Sequence, residues 1–203
     1  MTNFRKLNEN DDIETIAAWI YSTDTFLFNP LFFNDKIRAI TGIERLITSN
    51  YSNPYHRDYI TVIYDENPDI IEGVAVSFRG SDISVEQTIK AMRDTSCTSL
   101  PLILQYSVNS RLFASHIRDN DYYLGNLYVN PEYRKNGNGS KLVEKCKQLA
   151  RQSNCKQILL DVEYTKPYLL DFYAKLGFKK SSKNYHRIFG KTYGCYGLKC
   201  KLD

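Results

Sequence analysis

A glycine-containing loop between a strand pattern and a helix pattern constrains this chain more than any other feature. Residues 122–140 read YYLGNLYVNPEYRKNGNGS, an apolar strand ending at Val129, then a turn, then a loop that contains Gly137 and Gly139. Unpaired backbone N–H groups converge at the start of a helix, glycine removes the Cβ that would hold a ligand away, and the helix dipole favours negative charge. The stretch therefore predicts a phosphate-binding loop.

Two nucleotide-binding motifs fit this loop poorly. A P-loop would end in Gly-Lys-Ser or Gly-Lys-Thr, whereas here Ser140 precedes Lys141. A dinucleotide fingerprint would need a third glycine where Leu142 stands, although Asp161 follows about 20 residues later, where that fold places its ribose-binding acid. A nucleotide-binding oxidoreductase is therefore kept as the weaker alternative.

The remaining pattern, Arg134-x-x-Gly137-x-Gly139 at the start of an amphipathic helix, resembles the acyl-CoA pyrophosphate loop of the GNAT acyltransferase superfamily. A second segment carries the same resemblance. Residues 172–178 (FYAKLGF) are similar to the family's Phe/Leu-Tyr-x-x-x-Gly-Phe helix, and the tyrosine of this motif follows Gly139 by 34 residues, which is the family's usual spacing. The resemblance covers most of the chain and is motif-specific over residues 122–178.

The resemblance implies one α/β (α+β) domain over residues 1–203. Its centre would be a mixed, mostly antiparallel sheet flanked by helices, with a V-shaped splay between the two strands that hold CoA. Periodicity, caps and turn residues predict the individual elements. Helices are expected at 11–21, 35–49, from 82 or 84 to 93, 101–117, 139–152 and 167–173, and strands at 59–64, 70–78, 122–129, 157–163, 184–189 and 195–202. Residues 81–118 are predicted to be an inserted helical elaboration that covers the acceptor side or forms a homodimer contact.

Composition excludes several classes of protein. With 203 residues and 42% hydrophobic content, the chain can bury one sizeable core. No stretch approaches a membrane span and the first residues lack the apolar run of a signal peptide, so we expect a soluble, cytoplasmic protein without a membrane partner. The five cysteines are scattered without metal-ligand spacing, so no metal site is expected, and a net charge of +4 does not suggest a nucleic-acid partner.

The resemblance implies acetyl-CoA as acyl donor and a primary amine as acceptor, with direct transfer and no metal. The pyrophosphate would bind the loop formed by Arg134, Lys135, Asn136, Gly137, Asn138, Gly139 and Ser140. Leu127 or Tyr128 would supply a backbone N–H that polarises the thioester carbonyl, and Val129 would pair with the pantetheine. Lys166 stands where the family often has asparagine, and we expect it to be solvated or to reach a CoA phosphate.

Tyr173 is the predicted general acid. A phenol with a pKa of about 10 is protonated at neutral pH and close enough to the pKa of a thiol to share its proton. The alternative is that Tyr173 only packs its helix against the sheet. Glu163 is the predicted base, with Asp161 or a water relay as alternatives, while the histidines lie outside the motifs.

The acceptor site is less well defined by the sequence. Candidate lining residues are Phe28, Phe32, Tyr123, Asn126, Tyr164 and Tyr193. Core packing is the favoured alternative for most aromatics of residues 25–33, and packing in a strand or loop explains Asn126, Tyr164 and Tyr193 equally well. The sequence does not identify the amine, and a CoA-binding or regulatory module without turnover is kept as a further alternative.

Overall fold

A seven-stranded sheet forms the centre of the protein in this computed structural model, which describes residues 2–188 and 190–202. The strands are β1 (Asn3–Lys6), β2 (Ile60–Tyr64), β3 (Gly73–Arg79), β4 (Tyr122–Val129), β5 (Gln157–Glu163), β6 (Lys179–Ile188) and β7 (Lys191–Lys201). They lie in the order β1-β2-β3-β4-β5-β7-β6, and every neighbouring pair is antiparallel except β4 and β5. The predicted α/β fold with a mixed, mostly antiparallel sheet is confirmed.

Seven α-helices are described around this sheet, and polar caps fix where several of them begin. The helices are α1 (Ile13–Thr23), α2 (Thr25–Leu31), α3 (Lys36–Ile47), α4 (Val85–Asp94), α5 (Leu100–Phe113), α6 (Asn138–Gln152) and α7 (Leu169–Lys175). The carboxylate of Asp12 accepts a hydrogen bond from the Thr15 amide at 3.0 Å, which satisfies one of the free N–H groups at the start of α1. Among the described residues, no helix has both the length and the apolar content needed to cross a membrane.

The helices cover both faces of the sheet and bury a separate apolar core on each. Val74 and Val76 of β3 contribute to one core, whereas Ala75, which lies between them, contributes to the other. This alternation follows from the pleat of a strand. The second core receives the apolar face of α6, whose Leu142 and Val143 are fully buried.

Two elements differ from the sequence prediction. The short strand β1 was not predicted, because four residues at the edge of a sheet carry too little alternation to be recognised. Helix α2 lies inside the aromatic stretch that follows α1, where only packing or a pocket wall was expected. At the other end of the chain, the predicted strand 184–189 falls within β6, and Phe189 lies outside the described residues.

The predicted helical insertion at residues 81–118 is confirmed as α4 and α5, which connect β3 to β4. Helix α5 packs against α2 and against β6 and β7. The chain then returns to the sheet at Ser115, whose backbone N–H and hydroxyl both donate hydrogen bonds of 2.8 Å to Asp161 of β5. The insertion therefore contacts the sheet at β5, β6 and β7, while a homodimer contact stays a prediction.

Strands β4 and β5 separate after a short paired segment. Their parallel pairing runs only from Tyr122 to Leu124 of β4. Gly125 is then an extra residue in β4, because its two neighbours pair with adjacent residues of β3, and such a β-bulge bends the strand. Strand β5 stays paired with β7 through Glu163, so it diverges from β4. This opening is the predicted V-shaped splay.

Candidate active site

The loop between β4 and α6 presents backbone N–H groups at the start of a 15-residue helix. Gly137 is the N-terminal cap of α6 and has φ +79°, a left-handed conformation that favours glycine. Gly137 has no side chain with which to cap the helix, and the first-turn amides of Asn138, Gly139 and Ser140 are left for a ligand. The geometry suits an anionic group such as a pyrophosphate.

A groove of about 870 Å³ extends from this loop along β4 to α7. It brings together ten of the eleven residues predicted for CoA, namely Leu127, Tyr128, Val129, Arg134, Lys135, Gly137, Asn138, Gly139, Ser140 and Lys166. Asn136 is exposed and lies outside this lining. We call this space the donor groove.

The side chains of the loop brace its shape. The Arg134 guanidinium donates from Nε to the Val129 carbonyl at 2.9 Å and lies over the Tyr128 ring, which stacks on Trp19 at 5.1 Å. Asn138 is buried and donates to Glu72 at 2.6 Å. Asn138 therefore holds the loop against the start of β3 and offers a ligand only its backbone N–H.

Tyr173 lies in the lining of the donor groove, where α7 packs against the sheet. Only 8% of the residue is exposed, and its ring contacts Phe172 and Phe178. Within residues 2–188 and 190–202, no side chain or backbone group hydrogen-bonds its hydroxyl. Burial raises the pKa of the Tyr173 phenol above its usual value, so the group keeps its proton throughout the neutral range.

Lys166 lines the donor groove with its side chain 28% exposed, and its ammonium group is already paired. Its ammonium forms an ion pair of 2.7 Å with Glu163 and donates to the Thr23 carbonyl at 3.1 Å. These contacts were not predicted: the lysine joins the end of α1 to the end of β5 across the splay, and a contact with a CoA phosphate stays a prediction. The same ion pair engages the Oε2 atom of the Glu163 carboxylate.

Asp161 is fixed by hydrogen bonds from the insertion and from β4. It accepts from the Ser115 amide and hydroxyl, both at 2.8 Å, and from the Tyr123 hydroxyl at 2.9 Å. Burial raises the pKa of this carboxyl, and the three hydrogen bonds oppose the shift. Asp161 thus ties the end of the insertion to the point where β4 and β5 separate.

A second cavity of about 630 Å³ lies between the sheet and the insertion, and we call it the acceptor cavity. Its lining includes the predicted residues Tyr123 and Asn126. Gly125 and Asn126 line both this cavity and the donor groove. The two spaces therefore meet at the bulge of β4.

Four other aromatic candidates lie elsewhere. Phe28 and Phe32 are fully buried in the core, with Phe28 packed behind Tyr55 at a centroid distance of 5.3 Å, so the prediction that they line the acceptor pocket is wrong. Helix α2 turns them inward. Tyr164 stacks on Tyr196 and Tyr193 on Phe26, both outside the two cavities.

Asp24 is a functional candidate that the sequence analysis missed. It lines the acceptor cavity and caps α2 by accepting a hydrogen bond from the Leu27 amide at 3.1 Å. Burial raises the pKa of its carboxyl to about 6. The titratable groups that influence it or are influenced by it are Glu163, Asp161, Lys166, Tyr55, Tyr106, Tyr123 and Cys195. An aspartate before a helix signal would have identified it, had α2 been recognised.

The raised pKa of Asp24 gives a test in the stability of the free protein. The unfolded carboxyl has a pKa of 3.8 and the folded one about 6, so the folded state binds this proton more tightly and stability falls as pH rises from about 4 to about 7. Asp24→Asn keeps an oxygen for the cap and removes this loss. Relative to the wild type, the variant is expected to gain about 2–3 kcal/mol in the free energy of unfolding across that window.

Urea unfolding at pH 4.5 and pH 7.5 measures this difference, and Asp12→Asn is the matched control. Asp12 also caps a helix, but hydrogen bonds from Thr15 lower the pKa of its carboxyl. Its replacement should therefore cost more stability at neutral than at acid pH, the opposite sign. A gain for Asp24→Asn that is equal at both pH values would show that its carboxyl titrates normally.

No described group of three or more histidine, cysteine, aspartate or glutamate residues is arranged to hold a metal ion. The five cysteines are all free thiols. The geometry offers instead an anion-binding helix start, a buried phenol and carboxylates at the junction of two cavities. These parts suit group transfer between two bound molecules.

Comparison with known proteins gives a family match and a set of similar folds. Residues 102–178 match the model of the acetyltransferase (GNAT) family. A thialysine N-epsilon-acetyltransferase of Bos taurus is 40% identical over 55 residues, which are 27% of this chain and 32% of that protein. The alignment thus spans about a third of the length of the curated relative.

Two solved structures illustrate the likeness in fold. An N-acetyltransferase from Staphylococcus aureus Mu50 has a TM-score of 0.67 at 18% identity, over 97% of this chain and 99% of that chain. The PaiA N-acetyltransferase from Thermoplasma acidophilum, solved in complex with coenzyme A, has a TM-score of 0.51 at 14% identity, over 99% of both chains. At these identities the likeness shows the fold.

Proposed function

Because residues 102–178 match the GNAT acetyltransferase family model, we propose that the chain is a member of this family and transfers an acetyl group from acetyl-CoA to a primary amine. The observation that carries the proposal is the meeting of the two cavities at Gly125 and Asn126, beside the separated strands. A donor lying in the groove and an acceptor lying in the cavity would face each other there. Holding two reactants in this way makes the reaction effectively unimolecular.

The donor would be held by backbone groups and by positive charge. The first-turn amides of α6 and the side chains of Arg134 and Lys135 would hold the pyrophosphate. The pantetheine would lie along β4, where the stretch from Leu127 to Val129 borders the groove on the side that β5 has left. Relatives of this fold bind coenzyme A, as the Thermoplasma acidophilum structure illustrates.

The proposed transfer is a direct attack of the amine on the thioester of acetyl-CoA. The amine nitrogen forms a bond to the acetyl carbon and the carbon–sulfur bond breaks, so the amine must lose a proton and the CoA thiolate must gain one. A backbone N–H of β4 at Leu127 or Tyr128, beside the bulge at Gly125, would stabilise the developing oxyanion. Tyr173 would donate a hydrogen bond and then a proton to the sulfur.

The rival proposal is a CoA-binding module without turnover. It would share the donor groove but would not need a second cavity open to it at Asn126. The oxidoreductase alternative loses its basis in the fold, since the sheet has one parallel pair among its described strands and a doubly wound dinucleotide fold is mainly parallel.

Release of free thiol from acetyl-CoA, followed over a panel of amines, tests the function. The proposal predicts a steady release that depends on the amine and saturates with it. Calorimetry with acetyl-CoA accompanies the assay, and tight binding without thiol release for any amine would identify the binding module instead. Binding of NADH in place of acetyl-CoA would contradict the donor assignment altogether.

A further inference from the structure

We propose that the acceptor cavity selects a primary monoamine with an apolar body, whose ammonium group is held by the carboxylate of Asp24. The inference rests on the proposed acetyl transfer and names the class of its acceptor. It follows from the walls of the cavity, from the position of the one acid among its described lining residues and from the charge at its exposed side.

The walls of the cavity are mainly apolar. Val76 and Phe78 of β3 lie on the sheet side, and Ile89 and Met92 of α4 with Tyr106 of α5 lie on the insertion side. At about 630 Å³ the space is within the usual range for small-molecule sites. An aromatic or branched aliphatic group would bury its surface here at a gain of about 25 cal/mol per Å².

Asp24 is the only acid among the described residues that line the cavity. Its Oδ1 accepts from the Leu27 amide, while no described residue donates to Oδ2, so the carboxylate has free capacity for an ammonium group. Asp161, by contrast, lies behind Tyr123 and Ser115 and is already occupied by three hydrogen bonds. The cavity thus offers one site for one positive charge.

Asp24 also lies next to the junction with the donor groove. Its neighbour Thr23 accepts a hydrogen bond of 2.7 Å from the Asn126 amide group, and Asn126 lines both spaces. The carboxylate is therefore placed where the nitrogen of an acceptor must arrive. Once it has oriented the ammonium group, it can take the proton that the nitrogen must lose before its lone pair attacks the acetyl carbon, and the proton that the nitrogen loses after attack balances the one that the thiolate gains.

The same charges disfavour a polyamine. Arg111 lines the cavity as well, exposed and not ion-paired with a described residue. A second ammonium group would meet this guanidinium or the apolar walls, and a buried charge without a partner is costly. A neutral far end avoids that cost, which is why the inference specifies a monoamine.

A peptide amino terminus fits the cavity less well than a small amine. Each peptide unit carries an N–H and a C=O that need hydrogen-bond partners once buried. The walls from β3 and α4 supply carbon atoms at those places, from Val76, Phe78, Ile89 and Met92. An acceptor whose polar atoms are confined to one amine leaves no such group unsatisfied.

Calorimetric titration with CoA bound and saturating, at pH 8, tests the inference without requiring turnover. The probes are phenethylamine, spermidine and a short peptide amide with a free amino terminus. Phenethylamine is expected to bind at least about tenfold more tightly than the other two, and Asp24→Asn is expected to weaken it by at least about tenfold. Asp12→Asn, a matched change at the cap of α1, should leave its affinity unchanged.

A second variant distinguishes loss of the amine site from loss of the folded protein. Ser107→Phe places a ring in the cavity from α5 and should abolish phenethylamine binding while acetyl-CoA still binds. Spermidine or the peptide binding as tightly as phenethylamine, or full phenethylamine affinity in Asp24→Asn, would overturn the inference. Selective phenethylamine binding without any thiol release from acetyl-CoA would support the inference about the cavity and contradict the proposed acetyl transfer.

Discussion

Replacing Tyr173 by phenylalanine is expected to lower kcat by about 100-fold and to change the affinity for acetyl-CoA by less than about twofold. The ring stays packed between Phe172 and Phe178, so the groove keeps its shape and only the hydroxyl is lost. That hydroxyl has no described protein partner, and its residue lines the groove in which the donor would lie. Its loss removes an interaction that becomes strong only as the thiolate forms.

Initial rates of thiol release give kcat, and calorimetry gives the dissociation constant of acetyl-CoA. Tyr51→Phe is the matched control, because Tyr51 is exposed and lies outside both cavities. Since burial raises the pKa of Tyr173, wild-type turnover should show no loss from its ionisation below about pH 10. An unchanged kcat in Tyr173→Phe would remove the residue from the mechanism and leave it as a packing group.

Replacing Gly139 by aspartate is expected to weaken acetyl-CoA binding by at least about 100-fold without destabilising the protein. A Cβ at this position would approach Phe172 no closer than 3.5 Å and Val129 no closer than 3.8 Å, which are ordinary contacts. A carboxylate in the first turn of α6 also interacts favourably with the helix dipole. The same carboxylate would occupy and repel the site of the pyrophosphate.

Gly139→Asn is the control for the size of the added side chain. It has nearly the shape of aspartate and no charge, so it should weaken acetyl-CoA binding by a smaller factor. Thermal unfolding measures the stability of both variants. Gly139→Asp should have a Tm equal to or above that of the wild type. Equal affinities of Gly139→Asp and the wild type would show that the pyrophosphate does not bind at this helix start.

The loop and the groove proposed for the donor were predictable because their signals are local. Gly137 and Gly139 stand two residues apart, and the start of α6 needs only its own first turn to bind an anion. The apolar spacing of α6 and the motif at residues 172–178 likewise describe single helices, so the sequence shows which residues share a face. The structure adds which of them touch the groove, and it excludes Asn136.

The acceptor side was not predictable because its contacts join distant parts of the chain. Asn126 donates a hydrogen bond to Thr23, which is 103 positions away in the sequence. Lys166 donates one to the same residue from 143 positions away. Periodicity cannot show such pairs, since it describes one element at a time. Phe28 was misassigned for a related reason, because the aromatic stretch does not show which side of α2 faces the core.

The most direct test of acetyl transfer across the junction at Asn126 uses acetyl-CoA with an isotopically labelled acetyl group and a primary amine. Mass spectrometry then measures the label in the amine, in free acetate and in the intact protein. Direct transfer between the donor groove and the acceptor cavity predicts labelled N-acetyl amine in step with thiol release, and an unlabelled protein. Label confined to acetate or to the protein would contradict it.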